Sequence, residues 1–358
     1  MEEVKKKQRI AYFDALRVIA AIAVITIHVA AIKWIALDPS SSAWEIANIF
    51  DCGMRWAVPI FVMVSGALLL NPNKDFSTRK FYKKNILRIL IAFAIWSAIY
   101  VIYDFVVRKQ QLGFWEVLEV FFKGEYHMWF LYMLLGLYLA TPLLRMITRN
   151  QRALQYFLIL GILISFVIPG VGTMANAIAL QTGCEVAKHI HTIISSITGS
   201  MSFTFISGYV VYYVLGYFLH STYIKRGLRA MIYIYGVLAL IMTILLTRNM
   251  TLALGEKTGV FGELTAWMMA LSVAVFVFFK YHGERMGNWR LIRSMSNASF
   301  GIYLIHILIL DLVLRIDYIE TMSFGVQAYL LVVGMVFIIS YAIVWVLKKI
   351  PVVRKIAC

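Results

Sequence analysis

Apolar runs of about 20 residues, the length a helix needs to cross a hydrocarbon core, recur from residue 13 to residue 347. No long polar stretch separates them. Ten segments qualify, some short or polar at their ends: roughly 13–35, 54–71, 86–107, 127–148, 153–171, 201–220, 230–247, 260–280, 298–315 and 325–347. Hydrophobic residues make up 61% of the 358 and charged residues 15%, where a soluble domain carries about a quarter charged residues. So apolar a chain cannot cover its own interior with polar surface unless lipid is its outer solvent. The predicted fold is therefore all-α: a polytopic transmembrane helical bundle of about ten helices, one membrane domain over residues 1–358 with no soluble appendage. The N-terminal MEEVKKKQRI is basic and precedes an apolar run, as in a signal peptide. That run passes twenty residues without a small-residue cleavage pattern, which predicts a retained first helix. Cys52, Cys184 and Cys358 form neither a disulfide framework nor a zinc pattern.

The formal net charge is +16. A basic chain first suggests nucleic acid as a partner. Here Lys and Arg fall in short clusters between apolar runs, as topology signals do, so no nucleic acid is expected and most of these charges are read as contacts to anionic membrane lipids. With ten helices both termini share one side. The connections on that side hold 24 of the 34 Lys and Arg, including Lys5, Lys6, Lys7, Arg354 and Lys355. Those on the opposite side hold 7, and Arg17, Lys33 and Arg55 lie within or at the edges of helices. This bias places both termini in the cytoplasm, and the chain is expected, multi-pass, in the plasma (inner) membrane. On the opposite side, residues 108–126 include FWEVLEVFF, too short to span and read as interfacial or re-entrant. Residues 172–200, with Cys184, His189 and His191, form the longest connection there, a candidate lid. A lone His-x-His in a loop is a poor metal site, and no metal is expected.

An ionisable group at bilayer depth costs at least about 2.5 kcal/mol, so each such group is a functional candidate. Asp14, Arg17 and His28 fall on the first segment. His28 lies eleven residues beyond Arg17, about 16 Å along a helix axis, and returns to nearly the same face; Asp14 is within about 40° of it. The three make one polar stripe, directed at the protein interior or a hydrated cavity. For Asp14 and Arg17 the alternative is a structural ion pair at the headgroups. Arg55 opens RWAVPIFVMVSG, where Pro59 removes a backbone donor and Ser65 and Gly66 permit close helix approach; a snorkelling Arg and a packing kink are the plainer reading. In EYHMWF, Glu125 and His127 lie beside Trp129, and an aromatic belt explains this group as well as a functional one does. Ser299, Tyr303 and His306 in ASFGIYLIH share a helix face by spacing, which makes His306 a second inward-facing candidate. The stretch NPNKDFSTRKFYKKNILRI, with Arg79, Lys83, Lys84 and Arg88, is more basic than topology requires. Such a cluster holds lipid headgroups or a polyphosphate.

In this order, these segments resemble the integral membrane acyltransferase-3 family. YFDALRVIAAIAVITIHV supplies Tyr12, Asp14, Leu16, Arg17 and His28 of its first motif; RWAVPIFVMVSG supplies Arg55, Val58, Pro59, Phe61, Ser65 and Gly66 of the second. KKNILRI, HMWFLYMLLGLYLATPLL and SNASFGIYLIH also resemble family segments, with Asn85 where relatives often carry a further Arg. The resemblance spans essentially the whole chain. It implies an O-acyltransferase that takes an acyl group, commonly acetyl, from cytoplasmic acyl-CoA and gives it to a hydroxyl of an envelope glycan or lipid-linked sugar. The chain ends at Cys358 soon after its last segment, which points to the stand-alone sugar O-acetyltransferases.

On that reading His28 is the candidate general base, since an imidazole suits removal of a hydroxyl proton. Arg17 and Arg55 stabilise the developing oxyanion or hold a phosphate. Arg79, Lys83, Lys84 and Arg88 dock the acetyl-CoA phosphates. Asp14 and His306 complete the candidate catalytic set. A proton-coupled transporter would also place His and Arg inside helices, and a membrane scaffold would need only the topology and the basic patches.

Overall fold

The computed structural model describes residues 9–200, 205–320 and 325–350. Lys5, Lys6, Lys7, Arg354, Lys355, Cys358 and the start of the 201–220 segment lie outside the described residues. Among the described residues the regular structure is entirely helical: α1 (Ala11–Ala36), α2 (Ser42–Met54), α3 (Ala57–Leu69), α4 (Thr78–Val106), α5 (Phe114–Lys123), α6 (Trp129–Thr148), α7 (Gln151–Thr182), α8 (Glu185–Ser200), α9 (Tyr209–Ser221), α10 (Arg226–Leu254), α11 (Ala266–His282), α12 (Arg290–Leu314) and α13 (Val326–Leu347), with a few single turns between them. Among the described residues eight helical spans are long and apolar enough to cross a membrane, and α2 and α3 together make one of them. The expected segments 201–220 and 260–280 appear as the shorter helices α9 and α11.

Helix α1 occupies the centre. It packs against α2, α3, α11, α12 and α13, and most of its side chains are buried all the way round. A helix that is mostly apolar and buried on nearly every side fits only such a position. In lipid, helices gain little from hydrophobic burial against one another, so contact depends on close packing. The α3–α9 pair shows this directly. A Cβ at Gly66 would lie 1.7 Å from the Tyr213 carbonyl oxygen, and one at Gly216 would lie 2.0 Å from the Met63 carbonyl oxygen.

The second span departs from the sequence expectation. It begins at Ser42, where Ser41 caps α2 by accepting from the Trp44 amide, rather than near residue 54. Arg55 therefore lies mid-span, at the break between α2 and α3, because Pro59 has no amide to donate to the Arg55 carbonyl. The 172–200 region is helical rather than a loop. Helix α7 continues to Thr182, Gly183 turns the chain in the left-handed region, and α8 folds back along α7, with His191 Nδ1 3.0 Å from the Gly172 carbonyl oxygen. Helix α5, from the interfacial FWEVLEVFF stretch, buries none of its side chains, and Phe114, Trp115 and Phe122 are exposed. That is the surface an interfacial helix offers to lipid.

The basic connections gather at one end of the bundle. Arg145 donates to the carbonyls of Leu69 (2.8 Å) and Lys74 (2.7 Å). Lys280 donates to those of Leu219 and Thr222, and Lys348 to that of Asn297. Gly287 lies directly against Ala11. This end is called the basic end below.

Candidate active site

Helices α1 and α12 run side by side from the basic end. The start of α1 is fastened there. Asp14 is buried and takes both oxygens to the Arg9 guanidinium, one at 2.8 Å, while Ser296 Oγ of α12 donates to it at 2.6 Å. Arg9 also donates to the Asn297 side-chain oxygen at 3.2 Å. Asp14 is thus paired with Arg9, and not with Arg17 as the headgroup ion pair would have it. Arg17 forms no ion pair with any described residue.

Arg17 instead faces a cavity of about 340 Å³ between α1, α3, α4, α6 and α12. That is within the range of small-molecule sites. Its polar lining is Arg17, Ser65, Asn85, Arg88, Tyr138, Ser296, Asn297, Ser299 and Tyr303. The Arg88 guanidinium lies over the Phe300 ring, 5.5 Å from its centre. Ser296, Ser299 and Tyr303 reach the cavity from one face of α12 because they recur at spacings of three and four. Arg88 and Asn85 share a wall of α4 for the same reason. Of the four basic residues expected to bind the donor, Arg88 lines the cavity, whereas Arg79, Lys83 and Lys84 are exposed beside it at the start of α4.

Towards its far end the cavity is lined by Val24, Phe130 and Tyr303, with the ring centres of Phe130 and Tyr303 5.4 Å apart. Behind that wall three histidines from three different elements meet. The ring centres of His28 and His306 are 5.2 Å apart, those of His127 and His306 5.1 Å, and those of His28 and His127 6.5 Å. Tyr303 joins wall and cluster: its ring lies 5.2 Å from His127 and 5.9 Å from His306, and its hydroxyl donates to the His127 carbonyl. His127 and His306 are buried; both ring nitrogens of His127 and Nε2 of His306 have no hydrogen-bond partner. A buried polar atom left unpaired costs about 1–3 kcal/mol, and a cluster of them at one place marks a site kept for something other than packing. His28 is partly exposed, and the Tyr126 hydroxyl lies 3.4 Å from its Nδ1. Among the described residues no group of three or more His, Cys, Asp or Glu could hold a metal ion.

Arg55 is placed differently from Arg17. Asp51 binds it through two oxygens at 3.0 and 2.9 Å, Glu263 lies 3.5 Å away, and Phe261 stacks beneath it at 4.3 Å. Its charge is already met. Beyond the histidines, Arg108 holds Asp104 at 2.8 Å and Glu125 at 3.1 Å. Burial pushes the Glu125 carboxyl above the usual carboxylate range, against the pull of Arg108.

The arrangement brings His28 and His306 together, adds His127, and sets Arg17 and Arg88 at the other end of an adjoining cavity. Asp14 lies behind that cavity as a fastening, Arg55 in a separate ionic cluster. Sequence spacing gave no sign of Tyr138. It could have reached Ser296, three residues before Ser299, and Asn85, three before Arg88. No curated protein and no solved structure matches the chain. The sequence model of the acyltransferase domain matches residues 10–348. An apolar helical bundle, a cavity with cations at one end and a histidine cluster at the other suit that match, and the chain belongs to the acyltransferase-3 family, a membrane acyltransferase.

Proposed function

We propose that this acyltransferase takes an acyl group, commonly acetyl, from cytoplasmic acyl-CoA and delivers it to a hydroxyl of a cell-envelope carbohydrate, either a glycan or a lipid-linked sugar. The observation that carries this reading is the cavity between Arg17 and Arg88 at the basic end and the wall in front of His28, His127 and His306. On this reading the basic end faces the cytoplasm of the plasma membrane, as the positive-inside bias suggests. Arg17 and Arg88 hold the donor's phosphates by charge-assisted hydrogen bonds, and the exposed Arg79, Lys83 and Lys84 extend the same basic surface. The distance of about 16 Å from Arg17 to His28 along α1 suits the thin arm between those phosphates and the thioester. The acceptor approaches from the other face, past Tyr126.

His28 is the general base. As it takes the hydroxyl proton, the oxygen bonds to the thioester carbon; the carbon–sulfur bond then breaks and the leaving thiolate takes the proton from His28. General base catalysis of this kind contributes about 10²–10⁴-fold. Asp14 acts at a distance, holding α1 and α12 in register through Ser296. Arg55 supports the fold around the site through Asp51 and Glu263.

The test is purified protein with labelled acetyl-CoA and fractionated envelope glycans, followed by mass analysis. The expected result is one carbohydrate fraction gaining acetyl ester, dependent on both protein and donor. Acetyl gained only by lipids or by no fraction would overturn the acceptor. In the same cells, Lys80→Cys and Arg290→Cys should react with an impermeant thiol reagent only after permeabilisation. Reaction of either in intact cells would reverse the orientation.

A further inference from the structure

The hydrogen bond that holds His306 fixes its tautomer. Nδ1 lies 2.6 Å from the Tyr303 carbonyl oxygen. A carbonyl only accepts, so Nδ1 carries the hydrogen. A neutral imidazole has one N–H, which leaves Nε2 with a lone pair. That lone pair is buried and has no partner. The ring stacks against no solvent: His306 is 0% exposed. Its neighbours are His28, with ring centres 5.2 Å apart and planes inclined by 41°, and His127 at 5.1 Å. An N–H···N bond between two imidazoles has a nitrogen separation of about 3 Å. With the distance from each nitrogen to its own ring centre added, that gives nearly the ring separation found. The ring spacing admits such a bond, and because Nε2 has no partner in the structure the bond requires the partly exposed His28 ring to turn its N–H toward it.

We infer that His306 is the positioning residue of His28: its Nε2 lone pair accepts the N–H of the His28 ring, which fixes the nitrogen of His28 that stays free to take the acceptor's proton. This rests on the reading of His28 as general base. In the transfer step the hydroxyl proton joins the free nitrogen of His28, the new carbon–oxygen bond forms, the carbon–sulfur bond breaks, and the same proton leaves for the thiolate. The hydrogen between the two rings stays on His28, so His306 ends as it began. The role is that of the group behind the histidine in a hydrolase triad, where a partner holds tautomer and orientation, with a backbone-anchored imidazole in place of a carboxylate. The unmet acceptor of His306 lies in a ring that has two other histidine rings within 5.2 Å.

Two amides separate this role from a structural one. Asparagine can place its N–H where Nδ1–H sits and keep the Tyr303 bond, but has no atom at the position of Nε2. Glutamine can place an oxygen acceptor there. With transfer by the wild-type protein measured first, His306→Gln should keep turnover within about tenfold and His306→Asn should lose about 10²–10⁴-fold. Both should leave the donor KM within about twofold. Asparagine equal to or better than glutamine overturns the inference and leaves His306 as a backbone fastener. A wild-type protein without transfer indicts the acyl-transfer reading instead, and the pairing is then decided by ¹⁵N spectra of histidine-labelled wild-type protein. These should show His306 protonated at Nδ1 and bare at Nε2; a hydrogen on Nε2 overturns the inference whether or not the variants fold.

Discussion

The two ends of the bundle treat positive charge in opposite ways. Away from the basic end the arginines, buried or exposed, meet carboxylates: Arg55 meets Asp51 and Glu263, Arg108 meets Asp104 and Glu125, Arg315 meets Asp311, and Arg248 meets Glu45. At the basic end the buried carboxylate Asp14 is taken by Arg9, while Arg17 faces a cavity and forms no ion pair among the described residues. A paired arginine has little left to offer a ligand, and its removal exposes a buried carboxylate. An arginine facing a polar cavity keeps its donors for an anion that comes and goes. The comparison separates two residues that sequence alone put in one class. On the proposed reading Arg55 holds the fold and Arg17 serves the substrate.

The largest expected effect is on the paired side. Arg55→Ala leaves Asp51, whose side chain is 1% exposed, without its cation, and breaking a buried pair costs about 3–5 kcal/mol. Thermal unfolding in detergent should show that loss, and Asp51→Ala on the same chain should restore most of it, as a double-mutant cycle reads out. An Arg55→Ala protein of normal stability that has lost donor affinity would break the comparison. Next in size is Arg17→Ala. Loss of a charge-assisted hydrogen bond of about 1.5–3 kcal/mol should weaken acyl-CoA by about 10- to 150-fold, with stability little changed. Arg88→Ala, at the solvated mouth of the cavity, should raise the donor KM by about fivefold. Lys83→Ala, Lys84→Ala and Arg79→Ala should each change it by about twofold or less. Donor titrations on the four variants sharpen the comparison. If Lys83 outranks Arg88, the phosphates dock on the exposed turn and not in the cavity.

Much of this plan was legible in the sequence because helix periodicity carries it. The Asp14–Arg17–His28 stripe and the Ser299–Tyr303–His306 face are repeats of three, four and eleven residues, and both point inward in the structure. The histidine cluster was not legible as a cluster. It needs α1, α12 and the Tyr126–Met128 turn in register, and spacing within one segment says nothing about register between segments. That is why His127 could equally be a belt residue from sequence. The division of the basic stretch between cavity wall and exposed surface has a local reason. A π turn at Tyr82–Ile86 shifts the helix phase, so Asn85 and Arg88 reach the cavity wall while Lys83 and Lys84 turn outward. The start of the second span was hidden by its charge. Glu45 and Asp51 interrupt the apolar character of SAWEIANIFDCGM, and each is matched by an arginine: Glu45 by Arg248 from the distant α10, Asp51 by Arg55 one turn away.

The account turns on His28 as the base at the end of a donor cavity, and His28→Gln in purified protein tests it most directly. Glutamine keeps a hydrogen-bonding tip of similar reach and removes the titrating ring. Turnover of labelled acetyl-CoA should fall by about 10²–10⁴-fold, with folding intact and acyl-CoA affinity unchanged, because the proposed phosphate site at Arg17 is about 16 Å away. A His28→Gln protein that is folded, binds acyl-CoA and transfers acetyl at a near-normal rate would contradict the account and remove His28 from the chemistry.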